Sequence, residues 1–153
     1  MLEHVILKLK ASGFNEIVIN VHHFADQILD FLQANHNFGV DIHISDETEE
    51  LLDTGGGLEK AGKYFISSCH EDKNGILLHN VDILSNCNLQ DLIRFHQQTP
   101  DVYATMLVSR RITSRYLLFD DNNLLCGWIN KTTGEVKPAG LKIRRRKVPG
   151  IRL

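Results

Sequence analysis

Residues 2–44 read LEHVILKLKASGFNEIVINVHHFADQILDFLQANHNFGVDIHI, and this stretch sets the fold class. Two parts of it, around residues 2–9 and 24–32, repeat apolar side chains at intervals of three and four, as amphipathic helices do. Residues 16–21 form a nearly continuous β-branched run, which is typical of a parallel strand covered on both faces. From Val40 onward apolar and polar residues alternate strictly, which predicts another strand. The order helix, strand, helix, strand predicts an α/β protein.

The rest of the sequence continues this pattern. Residues 54–57 (TGGG) predict a glycine turn that opens a helix, and residues 76–81 (ILLHNV) predict a buried strand. Asn88 precedes a third helical segment as its predicted capping residue. Residues 102–108 predict a strand, and residues 116–129 predict a hairpin around an Asp-Asp-Asn-Asn turn.

The composition indicates a folded protein. The chain has 153 residues, 42% hydrophobic and 24% charged, with only 3 Pro, which argues against disorder. No apolar run approaches the ~20 residues that a membrane span needs, and charges interrupt the opening segment where a signal peptide has none. We expect a cytoplasmic protein without membrane partners. Three Cys without a CxxC motif predict neither a disulfide framework nor a zinc site.

The charge is unevenly distributed along the chain. Six of the 17 basic residues lie in residues 142–153, so residues 1–141 carry 11 basic against 19 acidic side chains. We expect one α/β domain over residues 1–138 and a poorly ordered basic tail over residues 139–153. An acidic body makes nucleic acid an improbable partner, although a role of the tail in binding RNA or phosphate stays open.

Two features suggest a ligand site. Gly55, Gly56 and Gly57 remove every Cβ from one surface, so a base, ribose or phosphate can approach the backbone closely. Asp82 follows the predicted strand 76–81, and carboxylates at the carboxyl ends of parallel strands face the ligand crevice of α/β sheets. Asn80, two residues earlier on that strand, is predicted to point to the same side. The alternatives are a flexible surface turn for the glycines and a helix cap or turn residue for Asp82.

Basic and imidazole side chains offer weaker candidates. Arg110, Arg111 and Arg115 follow a predicted strand and suit an anionic sugar phosphate, although we favour an exposed loop cluster as their explanation. Adjacent His residues on a strand point to opposite faces, so the His22-His23 doublet does not predict a metal site.

The segments Leu51-Leu52-Asp53-Thr54-Gly55-Gly56-Gly57-Leu58 and Leu78-His79-Asn80-Val81-Asp82-Ile83-Leu84 resemble the sugar-phosphate nucleotidyltransferase family. The similarity is greatest to its mannose-1-phosphate guanylyltransferase-like and N-acetylmuramate-1-phosphate uridylyltransferase-like branches. The opening helix, strand and helix also resemble that family, so the similarity covers residues 1 to about 138.

The resemblance implies a Rossmann-like mixed, mostly parallel sheet with helices on both faces. It also implies a reaction in which a nucleoside triphosphate and a sugar 1-phosphate give a nucleoside diphosphate sugar and pyrophosphate, with Mg²⁺ as cofactor. The matched motifs imply that Thr54, Gly55, Gly56 and Gly57 border the base and ribose. They also imply that Asp82 binds Mg²⁺ as the catalytic residue, that Asn80 lies beside it, and that Arg115 contacts the sugar phosphate.

The sequence also departs from the family. The family opens with a strand and the loop GxGxRLxPLTxxxPKP, which holds the triphosphate, and this chain begins after that loop. The similarity ends near Pro138, before the second metal-binding Asp, and Val81 replaces the Gly of the usual Asn-Gly-Asp motif. These departures predict impaired activity and self-association through uncovered strand edges. A non-catalytic module that binds nucleotides or nucleotide sugars is therefore the alternative function.

Overall fold

A computed structural model describes residues 1–50, 52–65, 75–139 and 143–147. The chain divides into two compact units, Met1–Leu84 and Ser85–Leu153. Within the described part of the chain, no helix is long and apolar enough to cross a membrane.

The first unit begins with the predicted helix and strand alternation. Helix α1 (Leu2–Ala11) is followed by Gly13 at a φ of 90°, a left-handed conformation that glycine adopts without strain. Strand β1 (Glu16–Val21), helix α2 (Ala25–Ala34) and strand β2 (Asp41–Asp46) follow in order. β1 and β2 pair in parallel, as the β-branched run predicted.

Helices cover both faces of the β1–β2 pair. On one face, Ile6 of α1, Leu32 of α2 and Val40 form a buried apolar cluster against the strands. On the other face lies helix α3 (Asp53–Phe65), whose Tyr64 ring stacks on His43 of β2 with 5.2 Å between the ring centroids. The predicted α/β class, with a parallel sheet between helices, is confirmed.

Two predictions about the first unit need correction. The glycines do not form a turn before α3, because that helix begins at Asp53 and includes them in its first turns. Residues 76–81 do not form a strand, and none of the three described sheets includes them. A strand exists only where a neighbour supplies hydrogen-bond partners, and here the side chains of Ile76, Leu78 and Val81 are exposed instead.

The described residues of the second unit form one helix and five strands. Helix α4 (Leu89–Gln97) is capped as predicted, since the Asn88 side chain accepts a hydrogen bond from the Gln90 N–H. The strands of this unit are β3 (Ala104–Val108), β4 (Arg115–Phe119), β5 (Leu125–Asn130), β6 (Val136–Pro138) and β7 (Ile143–Lys147). β4, β5 and β6 form an antiparallel sheet that includes the predicted hairpin.

Strand β7 pairs in parallel with β3. It lies within residues 139–153, which the sequence predicts to be a basic tail. The basic run IRRRK therefore supplies a strand to the second unit.

Candidate functional site

Two polar side chains meet where β1 and β2 end. Asn20 lies near the end of β1, and Glu47 comes directly after β2. The Asn20 Nδ2 group donates a hydrogen bond to Glu47 Oε1 over 2.7 Å. Since carboxyl ends of parallel strands form the ligand-binding edge of α/β sheets, this pair lies where a site is expected.

Glu47 is buried and strongly constrained. Only 4% of the residue is exposed, and its backbone N–H donates to the Val21 carbonyl over 2.7 Å. Its second carboxylate oxygen, Oε2, accepts from the Leu52 N–H over 3.3 Å. Both oxygens of the carboxylate therefore face N–H donors, one from β1 and one from the residue before α3.

The three glycines at the start of α3 differ in their surroundings. A Cβ added to Gly57 would lie 2.5 Å from Asn20 Nδ2 and 2.6 Å from Glu47 Oε1. A Cβ on Gly56 would lie 2.9 Å from Leu52 Cβ, whereas nothing lies within 4 Å of one on Gly55. Gly57 is therefore required for packing, and Gly55 leaves bare backbone open to solvent. Thr54 lies beside them in the first turn of α3.

Asn80 and Asp82 lie in the same unit, on the irregular segment 75–84. Both are exposed, and Asp82 is part of a turn. The Asn80 carbonyl accepts from the Ile83 N–H over 3.2 Å and lies 2.7 Å from His79 Nδ1. The hydrogen bonds described for Asn80 are thus local. The prediction that Asn80 and Asp82 point to the same side rested on the alternation of side chains along a strand. Because these residues are not in a strand, that reason does not apply.

An open pocket of about 480 Å³ adjoins the same strand ends, on the face that α2 covers. His22 and Asp46 line it, together with the exposed ring of Phe24. The Thr48 N–H, which donates to Asp46 Oδ1 over 2.8 Å, is the main cause of a lowered pKa for that carboxyl, and Lys60 acts in the same direction. Asp46 is therefore charged at neutral pH.

Sequence reasoning missed Asn20, His22, Asp46 and Glu47. Their position is the signal that could have found them, because each lies near the carboxyl end of β1 or β2, at the ligand-binding edge. The burial of Glu47 is not visible in the sequence, since it arises only when α3 packs over it.

Arg115 belongs to the second unit. It is the first residue of β4, its side chain is exposed, and its backbone N–H donates to Thr113 Oγ1 over 3.3 Å. Among the residues that the structure describes, no group of three His, Cys, Asp or Glu side chains is arranged to hold a metal ion. Of the predicted site residues, Asp82 alone supplies a carboxylate.

A parallel sheet between helices, with a glycine-rich helix start at its carboxyl edge, defines an α/β protein of the class that binds ligands at strand ends. The sequence model of one family, described as nucleotidyl transferase, matches residues 1–117. The chain therefore belongs to the nucleotidyl transferase family.

Two curated relatives are similar to parts of this chain. An N-acetylmuramate alpha-1-phosphate uridylyltransferase of Caulobacter vibrioides is 38% identical over 63 residues, which are 40% of this chain and 26% of the relative. A UTP–glucose-1-phosphate uridylyltransferase of Synechocystis is 24% identical over 147 residues, which are 88% of this chain and 37% of the relative. The matched part of the chain thus spans between a quarter and two fifths of these relatives' length.

Proposed function

We propose that this chain carries the nucleotide-binding part of a sugar-1-phosphate nucleotidyltransferase. In this reaction an oxygen of the sugar phosphate attacks the α-phosphorus of a nucleoside triphosphate, and pyrophosphate leaves. Family membership supports the nucleotidyl transfer. The names of both relatives support a sugar 1-phosphate as the acceptor.

The relatives' names also bear on the base. Both are named for uridylyl transfer, so UTP is our first choice of nucleotide. GTP, the substrate of the mannose-1-phosphate guanylyltransferase-like branch, is the comparison.

The open backbone at Gly55 is the observation that carries this proposal. The first N–H groups of a helix lack partners within it and carry partial positive charge. At Gly55 no side chain stands over that backbone, and nothing lies within 4 Å of where a Cβ would be. A flat base or a ribose can therefore lie directly against the first turn of α3.

Asp82 and Arg115 complete the proposal. Mg²⁺ takes one or two protein carboxylates and fills its remaining positions with water and substrate phosphate, so the exposed carboxylate of Asp82 fits that ion. Bound Mg²⁺ would neutralise charge on the phosphates. Asn80 lies beside this position in the sequence, and we assign the sugar-phosphate side to Arg115.

Calorimetric titration of the chain with UTP and with GTP, each with and without Mg²⁺, tests this function. We expect saturable binding that favours UTP and strengthens with Mg²⁺. Gly55→Leu should weaken binding at least about tenfold, because a side chain would occupy the base position. Gly62→Leu is the matched control, since Gly62 lies in the same helix and a Cβ added there would also have nothing within 4 Å.

The same titration also tests the assignment of Asp82 as the ligand of Mg²⁺. Asp82→Ala should abolish the effect of Mg²⁺ on nucleotide affinity and leave metal-free binding unchanged. An equal loss of nucleotide affinity in Gly55→Leu and Gly62→Leu would contradict the proposed site. The absence of nucleotide binding by the unmodified chain would contradict it as well. Nucleotide binding without pyrophosphate release on adding sugar 1-phosphates would favour the non-catalytic module.

A further inference from the structure

We propose that Glu47 is a positioning residue that fixes the glycine-rich start of α3 for nucleotide binding, with Asn20 as its partner. The inference rests on the proposed function, because it concerns the same glycines. In this proposal Glu47 and Asn20 do not contact the substrate. They affect nucleotide binding by holding α3 in position.

Glu47 joins the sheet to the approach of α3. Its backbone continues the hydrogen bonding of the strand ends, since its N–H donates to the Val21 carbonyl over 2.7 Å. Its backbone carbonyl contacts His22 Nδ1, which must carry the proton because a carbonyl only accepts. Two contacts thus hold the backbone of Glu47, and they fix the position from which its side chain extends.

The carboxylate links strand β1 to the residue that precedes α3. Oε1 accepts from Asn20 on β1 over 2.7 Å, and Oε2 accepts from the Leu52 N–H, immediately before α3, over 3.3 Å. Gly57 lies close to this pair, so that a Cβ there would require the Asn20 or Glu47 side chain to shift. We infer that Glu47 and Asn20, together with the lack of a side chain at Gly57, set the distance between the first turn of α3 and the sheet.

The contact between residues 20 and 47 needs one donor and one acceptor. Glu47 accepts from the Asn20 NH₂ group, whereas carboxylates at both positions would leave two acceptors facing each other, which is unfavourable at a buried site. A glutamine at residue 47 can keep both contacts, because the Asn20 amide can turn its oxygen toward the new NH₂ group while the glutamine oxygen accepts from the Leu52 N–H. Because Glu47 is 4% exposed and both of its oxygens are engaged, it is not available to bind a metal or to accept a substrate proton.

UTP titration of variants of the full chain tests this inference. Asn20→Asp should weaken UTP binding about tenfold, since it places two carboxylates together. Glu47→Gln alone should keep UTP affinity within about threefold of the unmodified chain, because the Asn20 amide can turn its oxygen toward the glutamine NH₂ group. The double variant reverses donor and acceptor between the two positions. It should restore affinity to within about threefold of the unmodified chain.

Tyr64→Phe is the matched control. It removes a hydrogen bond between the same helix and the same sheet, the 2.7 Å contact of the Tyr64 hydroxyl with the Ile44 carbonyl, at the far end of α3. We expect Tyr64→Phe to lower thermal stability and to leave UTP affinity unchanged. Asn20→Ala, at an exposed position, is a milder variant that tests the same contact if Asn20→Asp does not fold.

The outcomes separate this inference from the proposed function. If the unmodified chain does not bind UTP, the proposed function fails. If the unmodified chain binds UTP and Asn20→Asp or Asn20→Ala binds it equally well, the positioning role is wrong. Loss of affinity in Tyr64→Phe of the same size, or no recovery in the double variant, would also overturn it, because both results indicate general destabilisation.

Discussion

At the scale of single residues, two buried polar side chains near the end of β2 differ in how their hydrogen bonds are satisfied. Glu47 is 4% exposed, and both of its carboxylate oxygens have N–H partners. Ser45 is 1% exposed, and its hydroxyl has no hydrogen-bond partner among the described residues. Burying an unsatisfied hydroxyl is unfavourable. The buried Ser45 hydroxyl is therefore expected to lower the stability of the folded protein.

Ser45→Ala should stabilise the protein. The substitution removes the unsatisfied hydroxyl and keeps the small volume of the side chain, so we expect the free energy of unfolding to rise by about 1 kcal/mol. Urea denaturation followed by circular dichroism measures the change. Ser12→Ala is the control, because the Ser12 hydroxyl donates to the Lys8 carbonyl over 2.8 Å and its loss should give no gain. A lower stability for Ser45→Ala than for Ser12→Ala would refute this interpretation.

At the scale of elements, the packing of α3 on the sheet depends on Gly57. Alanine at a helical position is ordinarily about 1 kcal/mol more favourable than glycine. At Gly57 the added Cβ would meet Asn20 and Glu47 at 2.5 and 2.6 Å, and such overpacking costs about 1–3 kcal/mol. We expect the close contact to outweigh the helix propensity, because Glu47 is buried and its carboxylate has little room to shift. Glycine at this position therefore allows the close approach of helix and sheet.

Gly57→Ala is therefore expected to lower the free energy of unfolding, by up to about 2 kcal/mol after the gain in helix propensity is subtracted. Gly62→Ala in the same helix meets nothing within 4 Å and should raise it, by up to about 1 kcal/mol. Chemical denaturation of the two variants in parallel gives the comparison. Equal stability of the two would show that α3 does not lie as close to the sheet as the structure places it.

The elements also show what the sequence could predict. The spacing of apolar residues was sufficient to predict the first four elements, because each follows a pattern that is local in the chain. These elements are α1, β1, α2 and β2. Residues 76–81 have strand-like composition but lack strand partners in the described sheets, and composition alone does not supply a partner. The role of Glu47 was not predictable, because its burial depends on α3 packing over the end of β1.

At the scale of the whole chain, the proposed site residues fall in both units. Thr54, the three glycines, Asn80 and Asp82 belong to the unit Met1–Leu84, and Arg115 belongs to Ser85–Leu153. The proposed nucleotide and metal contacts are thus confined to one unit, and the sugar-phosphate contact is assigned to the other. We therefore expect changes on nucleotide binding to be detected at residues of the unit Met1–Leu84, without a contribution from Ser85–Leu153.

The central claim is that the glycine start of α3 and Asp82 bind one nucleotide together. The most direct test is a ¹H–¹⁵N NMR titration of the whole chain with UTP in the presence of Mg²⁺. The account predicts that the amide resonances of Gly55, Gly57 and Asp82 shift along one saturation curve with a single dissociation constant. Shifts at the glycines without shifts at Asp82, or shifts confined to residues 85–153, would contradict it.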